Sequence, residues 1–364
     1  MMRNPLLASI LLALASASCS SNAQTVLPLW PNGAPPSPQT SIPANRIAHL
    51  PPGEISNVTA PTLTVYFPSG RGNGAAALVF PGGGYQILAW DKEGLAPCHW
   101  LNSLGITCIL VKYRVPQPPG EAGHYPADLA DLQDARQAMR ITRAHAAQWG
   151  INPVHIGVMG FSAGANLAIL LCTHPEDSQA DATPTASQGK TDLSARADFA
   201  ILAYPAYLAM PPDHTEIFPA YQPDQYTPAT FLIQAENDHS YGFNALVYYR
   251  ALMHAHVPAE LHYYATGGHG FGMNPPGTPE EHWSKLAANW LRAINVLPSP
   301  GGRAYGPNEV PDPCMMPEAL TPNGRRVNSP MPGTNPPNTT NPANTPNIEN
   351  QTPSPYPNCW HSQP

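Results

Sequence analysis

Four short stretches of this chain hold residue types whose combination suits acyl transfer. Gly160-Phe161-Ser162-Ala163-Gly164 sets a serine between glycines. The run before it reads as a strand and the run after it as a helix, which is the context of a nucleophile elbow. In such a turn the hydroxyl stands clear of the sheet, and side chains two residues either side would clash, hence glycine at both places. The helix N-terminus then lies beneath any negative charge that develops. Pro81-Gly82-Gly83-Gly84-Tyr85 follows an earlier apolar run. Three glycines let backbone N–H groups approach an acyl oxygen closely. The amides of Gly83, Gly84 and Ala163 are the expected oxyanion donors, and one such donor is commonly worth about 3–4 kcal/mol of barrier. The loop lacks the Gly-Lys-Ser/Thr ending and the spacing of a phosphate cradle.

The third stretch is Gln234-Ala235-Glu236-Asn237-Asp238, at the end of another apolar run. Strand C-termini carry functional side chains in open sheets of this kind. Asp238 is the expected acid, preferred over Glu236, which lies closer to the strand proper. A carboxylate there holds an imidazole in the right tautomer and stabilises the imidazolium. The fourth is Gly267-Gly268-His269-Gly270-Phe271-Gly272, a glycine-rich loop after the last strand signal. His269 is the expected general base. The order Ser162, Asp238, His269 is the nucleophile–acid–base order of α/β-hydrolases.

These residues need a scaffold, and the chain alternates strand and helix signals to supply one. Strands are expected at 62–68, 75–80, 105–114, 154–161, 199–204, 231–235 and 261–265. Helices are expected at 91–104, 126–150, 163–172, 241–256 and 282–294. In the 126–150 helix, Leu129, Leu132, Ala135, Met139, Ala146 and Trp149 share one side of the wheel, and Asp128, Asp131, Arg140 and Arg143 lie largely elsewhere. Alternation with near-continuous apolar strands predicts an α/β fold, a mostly parallel sheet with helices on both faces. One domain over 24–298 is the economical division.

Composition bounds the rest. Of 364 residues 42% are hydrophobic and 11% charged, which supplies a full core. The net charge of −7 leaves no basic excess for a phosphate backbone, so nucleic-acid partners are not expected. No apolar run reaches the roughly 18–20 residues of a membrane span. Residues 1–23 read as an export signal, with Arg3, an apolar stretch over 6–15 and small residues before Gln24. A competing reading makes Cys19 a lipidated first residue, although Ser16 stands where a bulky aliphatic is usual. Either way a secreted or periplasmic protein is expected. Residues 299–364 carry 16 of the 47 prolines among Asn, Thr and Ser, and read as a disordered tail. Cys314 and Cys359 lie in it, as a pair or as free thiols. Cys98, Cys108 and Cys172 are read as small core residues. No Cys-x-x-Cys spacing occurs, and His254, His256 and His262 make an unconvincing metal cluster, so neither metal nor cofactor is expected.

The chain resembles the secreted α/β-hydrolases that act as acetyl-xylan and feruloyl esterases, a group related to dienelactone hydrolases. The resemblance rests on Trp30-Pro31-Asn32-Gly33-Ala34-Pro35, Pro81-Gly82-Gly83-Gly84-Tyr85, Glu93-Gly94 and Trp100-Leu101-Asn102-Ser103-Leu104-Gly105-Ile106. It continues through Lys112-Tyr113-Arg114, Gly160-Phe161-Ser162-Ala163-Gly164 and Ser194-Ala195-Arg196-Ala197-Asp198-Phe199, then Glu260-Leu261-His262 and the loop around His269. It implies Ser162 as nucleophile, Asp238 as acid and His269 as base. It also implies a polysaccharide or small-molecule ester of the plant cell wall as substrate. Dienelactone hydrolases carry cysteine where this chain has serine. A small acyl group is expected, because no long apolar helical insertion offers a lipase lid. Ferulate is the nearest variant. Trp90, Tyr85, Tyr207, Tyr221 and Tyr226 are either sugar-stacking side chains or ordinary loop packing. A serine peptidase on the same fold and an inactive binding module are the rival classes.

Overall fold

Eight strands order themselves as β1-β2-β4-β3-β5-β6-β7-β8 in one sheet. A computed structural model describes residues 24–36, 41, 47, 49–116, 130–175, 193–273 and 277–298. The expected export signal with Cys19, the 299–364 tail with Cys314 and Cys359, and the start of the 126–150 helix with Leu129 lie outside the described residues. The strands are β1 Thr25–Pro28, β2 Thr62–Tyr66, β3 Ala76–Phe80, β4 Thr107–Lys112, β5 Ile156–Phe161, β6 Ala200–Ala203, β7 Thr230–Ala235 and β8 Ala259–Tyr264. The helices are α1 Ala96–Ser103, α2 Ala130–Ala144, α3 Ala163–Thr173, α4 Asn244–His254 and α5 Trp283–Ala293. A π-helical turn, Trp90–Leu95, leads into α1.

From β4 onwards across the sheet all pairings are parallel, whereas β1 with β2 and β2 with β4 run antiparallel. The sheet is thus mostly parallel, as expected. Strand β1 had no sequence signal of its own: four residues at the edge, half of them exposed, carry too little apolar pattern.

Alternation along the strands sorts the core onto two faces. Leu78, Phe80, Val158 and Leu202 face α2, α3 and α4. Val79, Met159, Phe161, Ile201 and Ile233 face α1 and α5. Helix α3, apolar over this span except for the hydrogen-bonded Asn166, is buried from Ala163 to Cys172, because it lies directly over the sheet centre.

Two expectations need correction. Cys98 and Cys108 are not separate core thiols but form a disulfide. Helix α1 lies against β4, which brings their Cα atoms to 5.1 Å, within bridging range. Cys172 is buried and free, as expected. Asp131 does not lie on a solvated helix face; it is fully buried, with Oδ1 accepting from the Leu132 amide at 2.9 Å. Among the described residues no helix is long and apolar enough to cross a membrane.

Strand order also locates the site. Strands β3 and β5 are neighbours, and the chain runs from β3 to β4 on one side but from β5 to β6 on the other. At such a switch point the loops from neighbouring strand C-termini part and leave a crevice. The two strands there are those ending at Phe80 and Phe161, which carry the two glycine motifs.

Candidate active site

Ser162 occupies the sharp turn between β5 and α3, with φ 52° and ψ −119°. That backbone is strained for a residue with a side chain. The surroundings hold it there. The Ser162 amide donates to Ala203 O at 3.0 Å, and its carbonyl accepts from the amides of Ala165, Asn166 and Ala206. Gly164 is glycine because a Cβ would lie 2.1 Å from Phe80 O and 2.5 Å from Pro81 O. The helix therefore packs directly on the backbone that leads into the first glycine loop.

His269 comes from the loop after β8. Its Nε2 lies 2.7 Å from Ser162 Oγ, and its Nδ1 lies 2.7 Å from Asp238 Oδ2. Asp238 Oδ2 also accepts from Gln234 Nε2 at 3.1 Å, while Oδ1 accepts from the amides of Ser240 and Tyr241. Burial alone would push the Asp238 carboxyl up; the hydrogen bond and charge of His269, with the Tyr241 amide and Gln234, hold it below its ordinary value. Asn237 Oδ1 accepts from the Gly268 amide at 2.8 Å and ties the histidine loop to the end of β7. Tyr204 and Tyr241 stand against the imidazole, with ring centroids 5.4 and 4.9 Å away.

The Pro81-Gly84 loop lies against the serine. A Cβ on Gly82 would sit 2.9 Å from Ser162 Cβ. The loop's carbonyls are tied inward: Gly82 O accepts from Ala89, and Gly83 O accepts from Gln86 and Ile87. The Gly82 amide is taken by Glu93 Oε2 at 2.8 Å. Among the described residues nothing accepts from the amides of Gly83, Gly84 or Ala163. Glu93 is 4% exposed, and its Oε1 accepts from Tyr204 Oη at 2.9 Å. Burial pushes its carboxyl up, against the pull of Tyr204, the Gly82 amide, Lys92 and His269.

The fold thus brings Ser162, Asp238 and His269 into one hydrogen-bonded chain beside Gly82–Gly84. Glu236 is exposed, and the acid bonded to His269 is Asp238. Of the aromatic side chains considered for sugar stacking, Tyr85 and Tyr221 are fully buried. Tyr226 is exposed but lies under Arg196, 5.2 Å from the ring centre. Tyr207 and Trp90 are half-buried, and Tyr207 sits edge-on to Tyr241. His262 is paired with Glu260 at 2.7 Å, and His254 at the end of α4 and His256 just past it are exposed. Sequence reasoning missed the parts played by Glu93, Tyr204 and Gln234. Glu93 carried one usable signal, an acid facing a stretch whose other inward residues are apolar. Tyr204 and Gln234 sit in buried strand ends, where nothing marks a polar atom as used.

A family model described as BD-FAE matches residues 63–206. An acetylxylan esterase from Xylanibacter ruminicola is 28% identical over 251 residues, covering 62% of this chain and 46% of that protein. The endo-1,4-beta-xylanase B of Butyrivibrio fibrisolvens is 26% identical over 60% of this chain and 35% of its own length. The chain therefore spans less than half of these two curated relatives. Among solved structures, an acetyl ester-xyloside bifunctional hydrolase from Caldicellulosiruptor lactoaceticus is 31% identical with a TM-score of 0.57, covering 75% of this chain and 97% of its own. An esterase from Thermogutta terrifontis shares the fold at 22% identity, with a TM-score of 0.53 over 71% of this chain and all of its own.

Proposed function

We infer that this chain, which belongs to the acetyl-xylan-esterase-like α/β-hydrolases, is a serine carboxylic-ester hydrolase that removes acetyl groups from plant cell-wall carbohydrate. One observation carries this reading: the unbroken chain from Ser162 Oγ through His269 to Asp238, two hydrogen bonds of 2.7 Å each. In that geometry His269 Nε2 accepts the Ser162 proton as Oγ attacks the ester carbonyl. Asp238, holding Nδ1–H, stabilises the imidazolium that forms. The amides of Gly83 or Gly84 and of Ala163 receive the charge on the carbonyl oxygen. As the bond to the sugar oxygen breaks, His269 gives that oxygen its proton, so the sugar departs as the free hydroxyl and an acetyl-enzyme remains. Water attacks that ester with His269 again as base, and acetate departs. The names of the relatives supply the carbohydrate and the acetyl group. The Cys98–Cys108 disulfide supports work in an oxidising compartment, in line with the export expected for residues 1–23.

Ser162→Ala tests the assignment. Hydrolysis of an aryl acetate by the purified variant should fall on the order of 10⁵-fold or more with the melting temperature kept. Residual turnover within tenfold of the parent would discard Ser162 as the nucleophile. The wild-type chain should release acetate from acetylated xylan faster than ferulate from arabinoxylan. The reverse order would make it a feruloyl esterase, a preference for aryl octanoate a lipase, and cleavage of a peptide amide a peptidase.

A further inference from the structure

The mechanism above requires two loops from distant parts of the sequence to stand correctly over Ser162, yet none of its steps uses Glu93. This carboxylate is buried and has both oxygens engaged. Oε2 accepts from the Gly82 amide at 2.8 Å, in the loop that carries the unpaired amides. Oε1 accepts from Tyr204 Oη at 2.9 Å, and Tyr204 Oη accepts in turn from the Gly272 amide at 3.1 Å. Gly272 lies three residues after His269 in the same loop. Every bond in this relay points toward Glu93: Gly272 N–H to Tyr204, Tyr204 O–H to one oxygen, Gly82 N–H to the other. The neighbouring residue strengthens the same connection, since Lys92 Nζ donates to Gly270 O. Both side chains come from the π-helical turn Trp90–Leu95. Such turns widen a helix by one residue and occur often at functional sites. Here consecutive residues of the turn reach one loop, Lys92 directly and Glu93 through Tyr204.

We propose that Glu93 is a positioning residue that locks the Gly82–Gly84 loop and the His269 loop to each other through Gly82 and through Tyr204–Gly272. Holding the Gly82 amide leaves the next amides of the loop free for the acyl oxygen. Holding Gly272 fixes the loop three residues past the imidazole it presents. The proposal rests on the reading of Ser162 and His269 given above. Catalysis is sensitive to such placement, because a misplacement of about 1 Å can lower the rate on the order of 10²-fold.

The test compares Glu93→Gln, Tyr204→Phe, the double variant and Ser162→Ala, all in the full chain, with an aryl acetate as substrate and folded protein quantified by denaturant titration. Glu93→Gln should lower kcat per folded molecule by about 10- to 100-fold, and Tyr204→Phe by about tenfold. KM should stay within about threefold in each, since both side chains are buried behind the loops they hold. The double variant should be no slower than Glu93→Gln alone, because both break one relay. Unchanged kcat per folded molecule, with only a lower melting temperature, would reduce Glu93 to a packing role and overturn the proposal. So would effects that simply multiply. If Glu93→Gln fails to fold, Tyr204→Phe, which removes a single oxygen, decides. Turnover retained by Ser162→Ala would instead strike down the underlying assignment, whatever the Glu93 variants do.

Discussion

Two buried aspartates, Asp238 and Asp134, each hold a cationic or ionisable partner, and they differ in what lies beyond that partner. Asp134 meets Arg114 in a bond network that is closed on all sides. Its Oδ1 accepts from Trp30 Nε1 at 2.7 Å, its Oδ2 from the Arg114 amide at 2.9 Å, and the guanidinium lies 2.9 Å from Oδ1. Arg114 spends its other donors on Pro35 O, Ala130 O and Gln133 Oε1. The side chains of this pair are 3% and 0% exposed. In the other pair Asp238 is just as hidden, at 1%, but His269 is 31% exposed and continues to Ser162. A closed network can only hold the chain together: it pins the segment around Trp30 and Pro35 to the start of α2. A network open at one end can pass a proton to something that enters. The carboxyls respond accordingly. Burial pushes Asp134 up, and Arg114 and Trp30 pull it back only in part. At Asp238 the partners outweigh burial and the carboxyl lies low.

The sharpest way to break this contrast is to neutralise each carboxylate in turn. Asp238→Asn keeps the shape but reverses the hydrogen-bonding sense toward Nδ1, favouring the wrong imidazole tautomer. It should lower kcat for an aryl acetate by about 10³- to 10⁴-fold with a modest change in stability. Asp134→Asn should do the opposite. It takes from the buried Arg114 guanidinium the carboxylate it is hydrogen-bonded to, which costs about 3–5 kcal/mol in denaturant unfolding, while kcat per folded molecule changes far less than in Asp238→Asn. Two variants that both lose activity, or both lose only stability, would erase the distinction.

The two networks were unequally legible in the sequence. The open one could be read because each member sits in a loop with glycine punctuation at a strand end: Gly160 and Gly164 around Ser162, Gly267 to Gly272 around His269. Those glycines answer to local backbone demands, so they leave a local signature. The preference for Asp238 over Glu236 also followed from local position. The closed network could not be read. Asp134 sits in a helix with Asp131 and Arg136 nearby, and helical periodicity treats charges as solvent-facing. The burial of Asp134 depends on Arg114 from just past β4 and Trp30 from the edge of the sheet, contacts about 20 and 100 positions away. Glu93 and Tyr204 failed to show for the same reason, being separated by 111 positions. The Cys98–Cys108 bridge spans only 10, but each cysteine lies in an apolar run that a free thiol would suit equally well.

Asp131 adds a pH-dependent edge to the closed network. It is fully buried beside Asp134, and among the described residues its Oδ2 has no hydrogen-bond partner. Burial, aided by the Asp134 charge and opposed by the Leu132 amide and Arg114, raises its carboxyl to about 7. The folded state therefore holds this proton more tightly than the unfolded chain does, whose value is near 3.8. The stability it contributes is complete below about pH 4 and is lost as pH rises through about 7. Asp131→Asn keeps the Oδ1 acceptor for Leu132 and removes the titration. At pH 8 the variant should be more stable than the parent by about 2–4 kcal/mol in urea unfolding, and at pH 4 the two should agree within about 1 kcal/mol. Asp238 shifts the other way, so its contribution stays intact above the ordinary carboxylate value and is lost only as pH falls below it. The acid limb of the stability profile should therefore survive in Asp131→Asn while the neutral-to-alkaline loss disappears. A variant less stable than the parent at pH 8 would mean that the Asp131 carboxylate is held by a partner rather than stranded.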